Sequence, residues 1–143
     1  MKDTKRILRQ AIFNALDGQI TLNGETVPVY DEKNENESVY ILLSNQQEFD
    51  DSPDGSFITR STIDYEVVQQ TGYSVSKDDI DDINEQILEI LIPSQGTTGL
   101  TIPSGFQFHN VKRESSRSIA FEISPTESIV RNITTISTII QEQ

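Results

Sequence analysis

Apolar and polar residues follow two different periods along this chain, and the switches between them mark its elements. Near the start, Ile7, Leu8, Ala11, Ile12, Ala15 and Leu16 recur at three- and four-residue intervals, the spacing that shares one helix face. Asp3 or Thr4 is placed to cap this helix, and Gly18 stands where a left-handed residue ends one. Lys2, Lys5, Arg6 and Arg9 fall mostly on the other face, which serves solvent or a partner.

The period then shortens. Asn23-Gly24 lies between Ile20-Thr21-Leu22 and Glu25-Thr26-Val27, and a two-residue Asn-Gly link is a strong hairpin signal because both residues tolerate positive φ. Pro28 lacks an N–H and suits a sheet edge, and Val29 and Tyr30 continue the extended run. Asp31 to Glu37 is a charged loop, and SVYILLSNQQ after it is an apolar strand. Ser52-Pro53-Asp54-Gly55 is a turn by its chemistry. Phe57 to Thr71 is rich in β-branched residues, with Ile63, Tyr65 and Val67 alternating onto one face. The two strands flanking this turn suggest an antiparallel pair whose connection stands off the body.

A second helix has its buried stripe at Ile80, Ile83, Ile87, Ile90 and Leu91. Ser76 and Asp79 approximate a capping box, and Asp78, Asp79, Asp81 and Asp82 sit where the helix dipole favours anions. Pro93 stops the helix, and SQGTTGLTIPSG is a flexible loop. Phe106 to Val111 and Ile119 to Ile123 alternate as strands. The isoleucine spacing of IVRNITTISTIIQEQ partly fits a helix, but its density of Ile and Thr favours a strand. The predicted order is helix, hairpin, two long strands, helix and three further strands, in a single domain over residues 1–143 with no internal repeat. The fold class expected is α+β, with two amphipathic helices packed on a mostly antiparallel β-sheet and a projecting β-hairpin.

Composition narrows the function. At 143 residues and 34% hydrophobic content, the core must be economical and, without tryptophan, is built mainly from Ile, Val and Leu. The formal charge of −12 argues against a stand-alone nucleic-acid binder and against docking on anionic lipid, both of which need clustered cations. The absence of cysteine excludes disulfides and thiolate metal sites. Polar residues interrupt the apolar run of MKDTKRILRQAIFNALDG, so it is neither a secretory segment nor a membrane span, and the expected compartment is the cytoplasm or a particle assembled there.

Candidate chemistry is sparse. His109 is the only histidine, stands in an alternating strand run, and has no HExxH or Gly-x-Ser-x-Gly pattern around it. SQGTTGL has two glycines but no following Lys-Ser/Thr, so it is not a phosphate loop. Asp50, Ser52, Asp54 and Gly55 mimic the first half of a calcium loop, but Ser61 stands where a bidentate glutamate belongs and Pro53 intrudes. The aspartates of DDIDDI flank core isoleucines, and capping with solvation accounts for them. No catalytic, metal or cofactor site is expected.

Charge distribution carries more. Cations gather in the first helix and late in the chain, at Lys112, Arg113, Arg117 and Arg131, while the stretch from Asp31 to Glu89 is predominantly acidic. These are either solvated faces or the two halves of a contact between copies of the chain.

The order of elements, with VPVYD at 27–31, the VYILLSNQ strand, the polar loop, TRSTIDYEVVQ and DDIDDINEQILEIL, resembles the tail-terminator or tail-completion proteins of tailed bacteriophages, including related neck-ring proteins. The likeness covers most of the chain and is clearest over residues 1–92. It implies a non-enzymatic virion protein that forms a ring, six-fold or twelve-fold, at the head–tail junction. Such a ring caps the tail tube or joins it to a connector or portal adaptor, with DNA passing only as cargo and with no membrane partner. Assembly would take place in the host cytoplasm. The extended hairpin QITLNGETV departs from the pattern and leaves a tube terminator and a short-tailed neck ring both open. NGETVPVYDE then stands as an edge hairpin and loop offered to a neighbouring subunit.

The contact residues expected are the loop Glu48, Phe49, Asp50, Asp51, Asp54 and Phe57, with the two phenylalanines as apolar anchors, and the basic set Lys112, Arg113 and Arg117. The alternative is a monomeric acidic binding module or inhibitor that mimics nucleic acid. A third reading, an enzyme with carboxylate or metal chemistry, would bind a divalent ion near Asp50 to Asp54.

Overall fold

The computed structural model of the chain describes residues 3–34, 36–52, 57–71, 77–124 and 127–143. Helix α1 spans Thr4–Leu16. The Asp3 carboxylate caps it by accepting the Lys5 N–H at 3.0 Å, and Gly18 follows its C-cap at φ +73°. Leu8, Ala11, Ile12 and Leu16 are buried, with Ile7 and Ala15 partly so, as the stripe predicts.

Strands β1 (Thr21–Leu22) and β2 (Glu25–Thr26) close the Asn-Gly hairpin with φ of +53° at Asn23 and +81° at Gly24, the signs a type I′ turn demands. This hairpin is a separate two-stranded sheet and does not extend the edge of the main one. The Gln86 side chain of α2 (Lys77–Leu91) holds it, accepting from the Thr21 N–H at 3.0 Å and donating to the Thr21 carbonyl at 2.8 Å.

The main sheet has the order β3-β4-β5-β7-β6, from Val29–Tyr30, Val39–Asp50, Phe57–Thr71, Glu127–Glu142 and Phe106–Ser124. It is mixed, because β3 runs parallel to β4 with Val29 opposite Ile41 and Tyr30 opposite Leu42. A parallel return normally needs a long crossover, but a two-residue strand can turn back within the short loop after Tyr30. Pro28 precedes this edge and uses its carbonyl to accept the Ile41 N–H at 2.9 Å.

The α+β expectation is therefore corrected. The protein is mostly β, with two helices among the described residues, about half of the chain in strands and a mixed five-stranded sheet. Much of the excess comes from β6. The two short strands expected at Phe106 to Val111 and Ile119 to Ile123 are parts of one 19-residue strand. The stretch between them, KRESSRS, has no apolar alternation, yet it pairs with β7. Backbone hydrogen bonds hold it there, and its exposed side chains carry no sign of a strand. The final segment is the strand β7.

Across the sheet, Ile41 and Leu43 of β4, Ile63, Tyr65 and Val67 of β5, and Ile136 and Ile140 of β7 share one face, which meets Leu8, Ile12 and Leu16 of α1 and Ile83, Ile87 and Leu91 of α2 in a single core. Ile90, expected in the α2 stripe, is only half-buried. On the other face Tyr40, Leu42 and Val68 form a small cluster with Tyr30 and Ile129 against it, the Tyr30 and Tyr40 rings meeting edge-on at 5.8 Å.

The loop after Pro93 is not free, as its composition suggests, but fastened to the end of α2. Thr98 donates its hydroxyl to the Leu91 carbonyl at 2.9 Å, and Leu100 is buried. Gly99 passes so close that a Cβ built there would lie 2.1 Å from the Ile90 carbonyl oxygen. Ser76, one half of the expected capping box, lies outside the described residues, as do Pro53, Asp54 and Gly55 of the expected turn.

Candidate assembly surface

Beyond a bulge between Leu43 and Gln46, β4 and β5 continue as a pair past the end of β3. Side chains on paired strands alternate between faces, so register decides what each contact candidate can reach. Gln46, Glu48 and Asp50 oppose Ile63, Ser61 and Thr59 on the core-side face, while Gln47 and Phe49 oppose Thr62 and Arg60 on the outer face.

Glu48 is committed to the fold. Its Oε2 accepts the Thr4 hydroxyl at 2.5 Å, and the Thr4 and Ser61 hydroxyls are 3.0 Å apart, so this carboxylate ties α1 to the sheet. Gln46 adds to the tie by donating to the Lys5 carbonyl at 2.8 Å and accepting from Arg9 at 3.2 Å. Asp50 accepts the Ser52 N–H at 2.9 Å. The Ser52 hydroxyl first, and this N–H second, hold the Asp50 carboxyl below its usual range. Asp51 is exposed, and its N–H donates to the Ile58 carbonyl at 2.9 Å, closing the base of the loop. Asp54 lies outside the described residues.

Phe49 and Phe57 are 43% and 47% exposed, which leaves both rings available to a partner. They do not form one anchor pair, however. Phe49 shares the outer face with Arg60, and Arg60 is three residues from Phe57 along β5, so Phe57 points to the other face. The Arg60 guanidinium lies 4.8 Å from the centre of the Phe49 ring, a cation–π contact.

The basic set is likewise split. Lys112 opposes Ser137 and Arg117 opposes Ile133 on the outer face, whereas Arg113 opposes Ile136 on the core-side face. Lys112 pairs with Glu114 at 3.4 Å. The Glu114 carboxyl is held low first by the Ser137 hydroxyl, which donates to it at 2.6 Å, and further by the charges of Lys112 and Arg60. Among the described residues, no carboxylate stands within ion-pair distance of Arg60, Arg113 or Arg117.

Register brings together a set that sequence reasoning misses. Phe49, Arg60, Ile139 and His109 stand directly opposite one another across β4, β5, β7 and β6. Ile139 is 36% exposed, and the His109 ring lies 3.3 Å from the Gln141 side chain. Nothing in the local sequence of β4 announces the bulge that aligns Phe49 with Arg60, so only the folded register reveals the row. On the helix side of the sheet, α2 exposes Asp78, Asp81, Asp82, Glu85 and Glu89, and Leu88 and Ile92 line an open depression beside Asp81, Glu85 and Glu89.

Among the described residues, no group of three or more His, Asp or Glu side chains is placed to hold a metal ion. No helix among them is long and apolar enough to cross a membrane. The arrangement offers docking chemistry, with Phe49, Arg60 and Arg117 exposed on the outer face and the α2 carboxylates exposed on the helix side.

No protein-family model matches the sequence, and no curated protein matches it. The fold does have a counterpart. A chain in the solved structure of the virion of a native gene transfer agent particle superposes with a TM-score of 0.71 at 12% identity, covering 99% of this chain and 100% of that one. At that identity the likeness is one of fold.

Proposed function

We propose that this chain is a non-enzymatic structural protein of a phage-like virion, a subunit of a ring at the head–tail junction. The observation that carries the reading is the end-to-end match in fold to a chain of a virion particle, in which neither chain has a large unmatched part. It agrees with the resemblance of the element order to phage tail-terminator and neck-ring proteins. In this reading copies of the chain form a six-fold or twelve-fold ring that caps the tail tube or joins it to a connector, and DNA passes through the hole. The ring is assembled in the host cytoplasm and remains in the virion.

The contact surfaces are the end of β4 and the start of β5, with Phe49, Asp50, Asp51 and Phe57, and the basic stretch of β6, with Lys112, Arg113 and Arg117. Glu48 belongs to the same end of the sheet and acts there by holding α1 in place. Exposed charges of opposite sign on different parts of one chain suit a heterologous contact, which repeats head to tail until it closes.

The test is antibody labelling of purified particles from the producing host, viewed by electron microscopy. Label at the junction of head and tail is expected. Label along the tail, over the head or absent from the particle contradicts the placement.

A further inference from the structure

We infer that the outer-face row Phe49–Arg60–Ile139–His109 is the docking surface for the acidic flank of α2 of a second copy of this chain. The inference rests on the ring reading and names the contact that would build the ring.

Charge complementarity argues for this occupant. The row has two exposed apolar side chains, Phe49 and Ile139, beside the Arg60 guanidinium, with Arg117, unpaired among the described residues, further along the same face and Lys112 there in an ion pair with Glu114. The flank of α2 presents the complement, an open depression lined by Asp81, Glu85 and Glu89 together with Asn84, Leu88 and Ile92. Helix α2 contains six carboxylates against the single Lys77, and among the described residues none of the six is in an ion pair. Like charges gathered on one helix repel, and a cationic surface relieves that repulsion.

The dimensions agree. Four adjacent strands place the ends of the row roughly 14 Å apart at about 4.8 Å per step. Asp81 to Glu89 is a rise of about 12 Å along a helix at 1.5 Å per residue. The geometry also forbids one chain from satisfying itself, because α2 packs on the core side of the sheet and the row lies on the opposite face. Each copy therefore keeps Arg60 and Arg117 free on one face and the acidic flank of α2 free on the other, and the contact repeats in a single sense. Phe49 is the apolar anchor, and Arg60 over its ring is the ion-pairing group.

Charge exchange tests this on the full-length chain. The substitutions Arg60→Glu and Glu85→Arg fall on exposed side chains, and thermal melts confirm that each variant folds. Each alone is expected to raise the concentration for half-assembly roughly tenfold, and combining them is expected to restore it to within roughly threefold. If Arg60→Glu assembles as the parent does, the row meets some other acidic surface and the inference fails while the ring reading stands. If both single variants weaken assembly and the double variant does not recover, the two residues are uncoupled and the inference also fails. A parent that never assembles removes the ring reading and this contact together.

Discussion

Arg131 donates its Nε–H to Oε1 of Glu66 at 2.5 Å, and the Glu66 side chain is 1% exposed while that of Arg131 is 27% exposed. The pair joins β5 to β7 on the outer face, next to the cluster of Tyr40, Leu42 and Val68. The bond to Glu66 is the first cause of the raised pKa of Arg131. A carboxylate buried this far depends on its partner.

Removing that partner is therefore costly. Arg131→Met is expected to destabilise the fold by about 2–4 kcal/mol, somewhat less than the roughly 3–5 kcal/mol for a fully buried pair, because Arg131 is itself part-exposed. Replacing both residues, as Glu66→Gln with Arg131→Met, is expected to recover part of the loss. Urea unfolding of the single and double variants measures both effects, and a single variant as stable as the parent contradicts the role given to the pair.

Gly99 has a steric assignment. Its Cα approaches α2 so closely that an added Cβ would sit 2.1 Å from the Ile90 carbonyl oxygen, a backbone atom with little freedom to yield. Gly99→Ala is expected to cost about 1–3 kcal/mol, the range for forcing an extra carbon into packed structure. Gly96→Ala is a control of a different kind, since a Cβ added at Gly96 would meet nothing within 4 Å beyond its chain neighbours and only the φ of +80° resists a side chain. A melting temperature for Gly99→Ala equal to that of the parent contradicts the close approach.

Tyr65 sets the alkaline limit. Burial pushes its pKa up to about 12, against smaller lowering effects from Thr134 and the charge of Arg113, and its hydroxyl donates to Asn84 Oδ1 at 2.6 Å. Unfolding returns it to about 10, so the unfolded chain loses this proton first. The contribution is complete below about pH 10 and is lost as pH rises toward 12, by about 1.4 kcal/mol per unit, or roughly 2–3 kcal/mol in total. Ultraviolet titration should show one tyrosine ionising after the others and together with unfolding. Tyr65→Phe should flatten stability across that pH window, and an unchanged pH profile in that variant contradicts the assignment.

Much of the helical part is legible from residue spacing. The stripes of α1 and α2 lie where Leu8, Ile12, Ile83 and Ile87 recur, because only a period near 3.6 aligns those positions, and Asn23-Gly24 marks a turn whose φ values few other residues accept. The strands are less visible. Lys112 to Ser118 is held by backbone pairing, which leaves no trace in side-chain pattern. Val29 and Tyr30 join the sheet in parallel, and the direction of a two-residue strand has no signature in its own residues.

The candidate surface was half legible. The acids and phenylalanines of the β4–β5 end and the cations of β6 stand out by type, and their mobilisation into faces does not. One bulge after Leu43 and another after Arg113 set which side chains share a face, so Phe49 parts from Phe57 and Arg117 joins Lys112, while Arg113 parts from Lys112 by plain strand alternation. Arg60 and Ile139 gain their interest only from standing in line with Phe49.

The central claim, that this chain works as an assembled ring, is tested most directly by its mass in solution. Light scattering across protein concentration and salt, with electron microscopy of any large species, is the measurement. The account predicts a closed ring of fixed subunit number that dissociates as salt screens the contact between unlike charges. A monomer at every concentration up to the solubility limit, at low salt as at high, would contradict it.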